Sequence, residues 1–393
     1  MMNSDWVKEY RKLFPATAQC VYMDNAYDCG STTFGIRGVE RYFADWTKAA
    51  VTVERGGPGR ASHFAVIDET RALLAELCGA ESPDLVAFTR NTNEGLNAIL
   101  QGFAFAPGDN VVTNAIEHHS VIMPALNAGK TKGIEVRVLP ERDDERIPAA
   151  DLMALCDEHT RMMLVSHVQS VTGYRIDLAE LGQLCHERGI YLVVDAIQSL
   201  GLEPFRMAEW HVAAVNGAGY KSLNAVNSIG FTVYSRELLK QIWPVYIAAG
   251  FCNDVRFRDG QWELYCTDDA NARKMENSSL DNPGIYVLNE SLKVLKGVGI
   301  ERIEAHVRDL YGQLRQGLVE LGYPVITPAA EQEHLGIVSL HPADPQAMFA
   351  FFRSRNIALS IAGGTHVRFS LGGFSTKEDI DAVLAAAREY GGR

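Results

Sequence analysis

The chain has 393 residues, 47% of them apolar and 22% charged. At about 100–200 residues per domain this suggests two domains or three, with apolar mass for a large core, which excludes a small stapled scaffold. Its 37 Lys+Arg against 49 Asp+Glu give a net charge of -12 with no basic cluster, so nucleic acid is not an expected partner. The opening MMNSDWVKEYRKLF has no apolar run and about 20 consecutive apolar residues occur nowhere, so no secretion signal or membrane span is expected and the chain reads as cytoplasmic. Its seven cysteines are odd in number and form no C-x-x-C pair, which reads as scattered reduced thiols, with no metal expected.

No internal repeat is visible, and strand-like and helix-like segments alternate as far as about residue 240. Residues 61–78 have the spacing of an amphipathic helix, 85–89 form a short apolar run, and 92–103 are a second helix. Strands are predicted at 110–114, 136–139, 162–166, 191–195, 212–215 and 230–234, mostly with helical stretches between them. Such alternation implies a largely parallel sheet covered on both faces, with ligands gathering at the carboxyl ends of the strands. Residues 244–283 read as polar, aromatic and irregular. Helices at 284–295, 300–321 and 376–390, with strands at 336–340 and 366–370, then suggest a smaller α+β unit.

The richest stretch reads YLVVDAIQSLG, then HVAAVNGAGYKSL. Asp195 ends an apolar strand, where a carboxylate can be a helix cap or a metal ligand. Lys221 follows another strand and the glycines Gly217 and Gly219, whose missing side chains let backbone pass close to a ligand. A phosphate loop of the type G-x-x-x-x-G-K-[ST] needs Gly directly before Lys, where Tyr220 stands, and the dinucleotide fingerprint lacks its third glycine. The pair His118-His119 comes without the third ligand motif of a zinc site. Asn91-Thr92-Asn93 falls between a strand and a helix, with Glu94 placed as in a capping box. Free amides there can cradle an anion or belong to an ordinary capped helix.

Taken together, these residues resemble the pyridoxal phosphate enzymes of fold type I, and within them the class V aminotransferase group that contains the cysteine desulfurases. VVDAIQSLG followed by a strand and a lysine carries the resemblance. So do YMDNA at 22–26, FTRNTNEG at 88–95, IEHHSVIMP at 116–124, SHVQSVTG at 166–173 and RFSLGGFSTKEDID at 368–381, in the family's order. The resemblance implies an α/β fold: a large domain with a mainly parallel sheet, at 16–255, and a smaller α+β C-terminal domain that takes 1–15 and 256–393. It implies pyridoxal 5'-phosphate as cofactor, with Lys221 forming the Schiff base and moving protons at Cα. Asp195 would face the pyridine nitrogen and make the ring an electron sink. Gln198 would lie near the ring hydroxyl and His118 on the ring face, with Ser170 and Tyr220 also at the cofactor. Asn91, Thr92 and Asn93 would hold the phosphate. Ser279 occupies the place where the family offers a threonine from the partner subunit, which implies a homodimer with shared sites. Arg368 matches the arginine that grips the carboxylate of an amino-acid substrate with its paired donors. Arg55 and Arg60, in ERGGPGRASH, offer a substrate loop.

The chain also departs from the family. A desulfurase needs a nucleophilic thiol shortly before the carboxylate-binding arginine, but NIALSIAGGTHVRFS at 356–370 has none and the last cysteine is Cys266. Cys252, in AAGFCND, is either a thiol that reaches the site or a buried inert one. Ala218 and Tyr220 replace a usual serine and histidine beside the lysine, and YK-x-LN at 220–224 is similar to kynureninases. One Cα carbanion can lead to transamination, elimination or epimerisation, and the protein selects by where it places its acids. His118 suits a leaving group at Cβ. The expectation is therefore a desulfurase-like lyase that uses no protein persulfide, a C–S lyase being one form of it. An aminotransferase or epimerase with the same residues is the alternative, and an ordinary cysteine desulfurase is less favoured. The joint presence of Lys221, Asp195 and Arg368 argues against a lapsed binding protein.

Overall fold

Seven short apolar runs pair into one sheet in the computed structural model, which describes residues 5–50, 58–248 and 252–391. After a two-residue strand, β1 (Val21–Tyr22), come β2 (Val86–Thr89), β3 (Asn110–Asn114), β4 (Glu135–Leu139), β5 (Thr160–Ser166), β6 (Tyr191–Asp195), β7 (Val212–Ala218) and β8 (Gly230–Tyr234). They lie side by side in the order β2-β8-β7-β6-β5-β3-β4. All run parallel except β8, which is antiparallel to both neighbours. Every residue of β3, β7 and β8 is buried. Successive side chains point to opposite faces, so burial of all of them means that both faces are covered. The alternation predicted from sequence is thus an α/β layer structure with a mainly parallel sheet.

Two features differ from the sequence expectation. The helix Thr33–Ala50 lies in a stretch with no predicted element, and it packs with Pro58–Cys78 and Asn282–Val298. Inside 244–283, read as irregular, stands an antiparallel ribbon, β9 (Asn253–Arg258) and β10 (Gln261–Cys266). Its two-residue turn is Asp259-Gly260, with φ of 49° and 82°. Positive φ at both positions is what the twist of a tight hairpin demands, and Asp-Gly supplies it at low cost. That dipeptide was the available signal, hidden by the mixed polar and aromatic residues around it.

The smaller unit adds β11 (Ile337–Leu340), β12 (Ile357–Ala358), β13 (Ser360–Ala362) and β14 (His366–Ser370). Here β11, β14 and β13 form an antiparallel sheet in that order. The helices Ile300–Glu320 and Pro345–Ser354 pack with this sheet, and Lys377–Gly391 packs with both helices and with β1. β1 runs parallel to β12, Met23 donates its N–H to Ala358 O at 2.9 Å, and Ser370 donates its own to Met23 O at 2.7 Å. These bonds tie residues 21–25 to C-terminal strands and deliver Asp24 to Asp28 to the cleft between the units. Among the described residues no helix is long and apolar enough to cross a membrane.

One buried ion pair joins distant parts of the chain. Arg71 and Glu276 meet at 2.7 Å with side chains 3% and 0% exposed. Arg71 also donates to Val86 O at 2.6 Å, and Glu276 accepts the Phe88 N–H at 2.8 Å, so the pair pins edge strand β2. Removing one partner leaves the other charge uncompensated in the interior. Glu276→Ala is expected to cost about 3–5 kcal/mol of stability. Urea unfolding would show this as a lower midpoint, and an unchanged midpoint would contradict it.

Candidate active site

The carboxyl ends of β3, β5 and β7 open into a cavity of about 730 Å³, closed on its far side by β14 and the turn before it. Lys221, His118, Ser170, Tyr220 and Arg368 all line it. Lys221 sits three residues past the end of β7, on a loop held by the bonds Gly219 N–H to Ile229 O (2.9 Å) and Asn224 N–H to Lys221 O (2.8 Å). The glycines before it were expected to let backbone approach a ligand, and their role is different. A Cβ on Gly217 would lie 2.5 Å from the Phe231 ring, and one on Gly219 would lie 2.8 Å from Ile229. The missing side chains make room for β8 and its loop.

Burial dominates the electrostatics. Lys221 is 7% exposed and Asp195 3%. Burial lowers the Lys221 amine below its ordinary value, partly opposed by the negative charge of Asp195, while Arg368 pushes further down. Burial raises the Asp195 carboxyl, which is restrained by the Ile197 N–H at 3.0 Å, by Lys221 and by a hydrogen bond with Thr92, and raised again by Glu117.

His118 caps the helix His119–Lys132 by accepting the Ser120 N–H on Nδ1 at 3.1 Å. That bond occupies the Nδ1 lone pair, so the neutral ring carries its proton on Nε2. His118 is exposed to the cavity, and the partial loss of solvent there, with Lys221, His119 and Arg368 nearby, pushes its pKa down to about 4, so the ring is neutral near pH 7. The loop that presents His118 is fixed by Glu117, which was not singled out from sequence. Its carboxylate accepts from Asn114 Nδ2 (2.8 Å), Ser166 N (2.7 Å), Ser166 Oγ (2.6 Å) and Gln169 Nε2 (2.9 Å), tying β3 to β5. Its position beside the histidine pair was the available signal.

Arg368 is 5% exposed. It donates to Ser360 Oγ from Nε (3.1 Å) and Nη2 (2.9 Å), and from Nη1 to Ser170 O (2.5 Å). Asp24, the carboxylate within YMDNA, lies 3.9 Å from it. Burial raises the Asp24 carboxyl to about 6, against the Ser360 hydrogen bond and Arg368. Asp24, like Glu117, joins the site only through the fold.

The remaining expected residues fall differently. Asp195 and Gln198 lie just behind the cavity wall, where Gln198 Nε2 donates to Ala26 O at 3.1 Å, and buried Thr92 stands behind Asp195. Asn91 and Asn93 line a separate hollow of about 490 Å³ together with Tyr246 and Asn277. Asn91 Oδ1 accepts the Glu94 N–H at 2.9 Å, so this side chain is an ordinary helix cap. Ser279 is exposed, two residues beyond Asn277, and lines no part of the Lys221 cavity. Arg55 and the side chain of Arg60 lie outside the described residues. Cys252 is buried at the root of the β9–β10 ribbon, its thiol raised to about 11 by burial and Asp268, and it does not reach the cavity.

A buried lysine and aspartate at adjoining strand ends, facing a buried arginine from a second unit, are the arrangement the sequence resemblance implied. A model of the aminotransferase class-V family matches residues 21–383. The chain belongs to that family. Class-V enzymes depend on pyridoxal 5'-phosphate, and so does this one. A probable cysteine desulfurase of Pyrococcus abyssi is 28% identical over 347 residues, which are 86% of this chain and 83% of the relative. The fold matches that of a cysteine desulfurase from Thermococcus onnurineus with a TM-score of 0.87 at 22% identity, covering 98% of both chains. It also matches the cystine C-S lyase C-DES, solved with its product cysteine persulfide, with a TM-score of 0.84 at 20% identity over 96% of this chain and 99% of that one.

Because burial lowers the Lys221 amine, its neutral and nucleophilic form persists to lower pH than that of a free lysine. The rate at which protein stripped of cofactor captures pyridoxal phosphate, followed by visible absorption, is expected to rise with pH to a midpoint below about 10.4. A midpoint at or above that of free lysine would contradict the burial argument.

Proposed function

We propose that this chain is a lyase that eliminates a substituent from Cβ of an amino acid, of C–S lyase type, without carrying a persulfide on the protein. The observation that carries the proposal is the segment facing Lys221 across the cleft. Ala362, Gly363 and Thr365 line the cavity just before Arg368, where a desulfurase would need a thiol. Cys29, next to the cavity residue Asp28, is 1% exposed with its thiol raised to about 12, first by burial and then by Asp28, which makes it a poor nucleophile.

The chain's residues fit the cofactor: a buried amine suits its aldehyde, and a buried carboxylate at the next strand end suits its pyridine nitrogen. Bound there, pyridoxal phosphate supplies an electron sink that makes the Cα proton of the substrate removable. Lys221 Nζ would accept that proton, and Asp195 would keep the pyridine nitrogen protonated. Arg368, already held by Ser360 and Ser170, would pair with the substrate carboxylate. His118, neutral and protonated on Nε2, would offer that N–H to the departing group at Cβ. The start of the helix Thr92–Gly102 would hold the phosphate, with Gln198 near the ring hydroxyl and Ser170 and Tyr220 completing the surround. In the elimination the Cα–H and Cβ–X bonds break, a carbon–carbon double bond forms and X leaves with the electron pair. Hydrolysis of the unsaturated product then gives pyruvate and ammonia.

We also infer a homodimer in which the partner subunit's Ser279 reaches the phosphate. Support comes from the exposure of Ser279 away from its own cavity and from the bare apolar residues Ile36, Phe43 and Trp46 on the helix Thr33–Ala50. Light scattering that gave a single-chain mass would end this part of the proposal.

Incubation with cysteine, cystine or another β-substituted alanine is expected to release pyruvate and ammonia. Lys221→Ala should abolish the visible absorption of the lysine-linked cofactor, and His118→Ala should slow turnover on the order of a hundredfold. Stoichiometric conversion of the cofactor to pyridoxamine phosphate with no pyruvate would replace the lyase reading with transamination.

A further inference from the structure

One cluster at the cavity rim has no part in the chemistry above. Glu145, His341 and His366 come from three separate segments: the loop after β4, the residue after β11 and the first residue of β14. One ligand atom from each lies within 4.8 Å of the others. His366 Nε2 stands 3.4 Å, and His341 Nδ1 4.0 Å, from the same Glu145 oxygen, Oε1. The two imidazoles sit face to face at a tilt, with centroids 4.4 Å apart.

We propose that Glu145, His341 and His366 form a three-ligand site for a divalent transition metal ion such as Zn2+, opening onto the substrate cavity. Two histidines and one glutamate are a known donor set for an open zinc site, with metal–ligand bonds of about 2.0–2.2 Å. Tetrahedral geometry at those lengths puts ligand atoms about 3.3 Å apart. The His366–Glu145 edge is already there at 3.4 Å. His341 must close in, and with a side chain 51% exposed it is free to do so. Thr365 Oγ1 lies 2.9 Å from His366 Nδ1. A bond from Nδ1–H to that hydroxyl leaves the Nε2 lone pair for the metal, the outer support that metal-bound histidines commonly have.

Glu145 and His366 line the same cavity as Lys221, while His341 does not. His366 and Arg368 are two apart on β14 and so share a face of the strand. An open fourth position would then face the end of a substrate whose carboxylate Arg368 holds. This last point rests on the substrate site proposed above; metal binding itself does not.

The test is Co2+ titration of the cofactor-loaded protein. One tetrahedral Co2+ per chain, seen by its intense visible bands, is expected. His341→Ala, His366→Ala and Glu145→Gln should each weaken binding at least tenfold, while His211→Ala, which breaks the unrelated stacked pair His186–His211, should not. Adding a simple monothiol should produce a thiolate-to-cobalt charge-transfer band if the fourth position is open. Visible absorption of the bound cofactor, measured in parallel, reports the other site separately. Co2+ binding no tighter in the wild type than in His341→Ala would overturn the proposal, as would bands of octahedral type. Lack of a charge-transfer band would overturn the open position.

Discussion

Lys221, Arg368, Asp195, Asp24 and Glu117 surround one cleft, four of them less than 10% exposed and Asp24 mostly covered. In such surroundings an unpaired charge is costly, so each group depends on the others and on oriented donors. The Asp195 carboxylate has Lys221, the Ile197 N–H and Thr92; Glu117 has four donors; Arg368 has Ser360, Ser170 and the charge of Asp24. The rest of the structure serves to keep this balance. The same burial that makes the charges expensive lowers the Lys221 amine toward a neutral base.

The sheet supplies the placement. Parallel strands end at one edge, and the residues following β3, β5 and β7 therefore meet although they are far apart in sequence. Glu117 ties the loop after β3 to the end of β5, which fixes both the backbone of His118 and, through the Ser120 cap, its tautomer. The smaller unit brings Arg368 on β14, and residues 21–25 hydrogen-bond to its strands before they turn into the cleft. Two units thus hold opposite walls of one cavity.

How far the sequence was legible follows from how local each signal is. The apolar strands and the lysine at the end of the β7 loop were readable because a strand buried on both faces must be apolar throughout. The β9–β10 ribbon escaped because its exposed residues follow no core pattern, and only Asp259-Gly260 announced it. Gly217 and Gly219 were read as clearance for a ligand. Whether a glycine makes room for a ligand or for Phe231 is settled by what lies across from it, which no local pattern contains. Asn91 and Asn93 share the same limit: their helix start was visible, but the cavity they line was not.

The sequence alone determined the layered α/β class, the family resemblance with its lysine and aspartate, and the lack of a cysteine just before Arg368. These depend on periodicity and on residue identity, which are properties of the chain. The tertiary structure decided that Glu117 and Asp24 belong to the site, that Cys252 does not, that Asn91 and Asn93 line a separate hollow, and that Glu145, His341 and His366 meet at the rim. Each of these is a meeting of segments tens to hundreds of residues apart, and burial and charge act through that distance in space, whatever the separation along the chain.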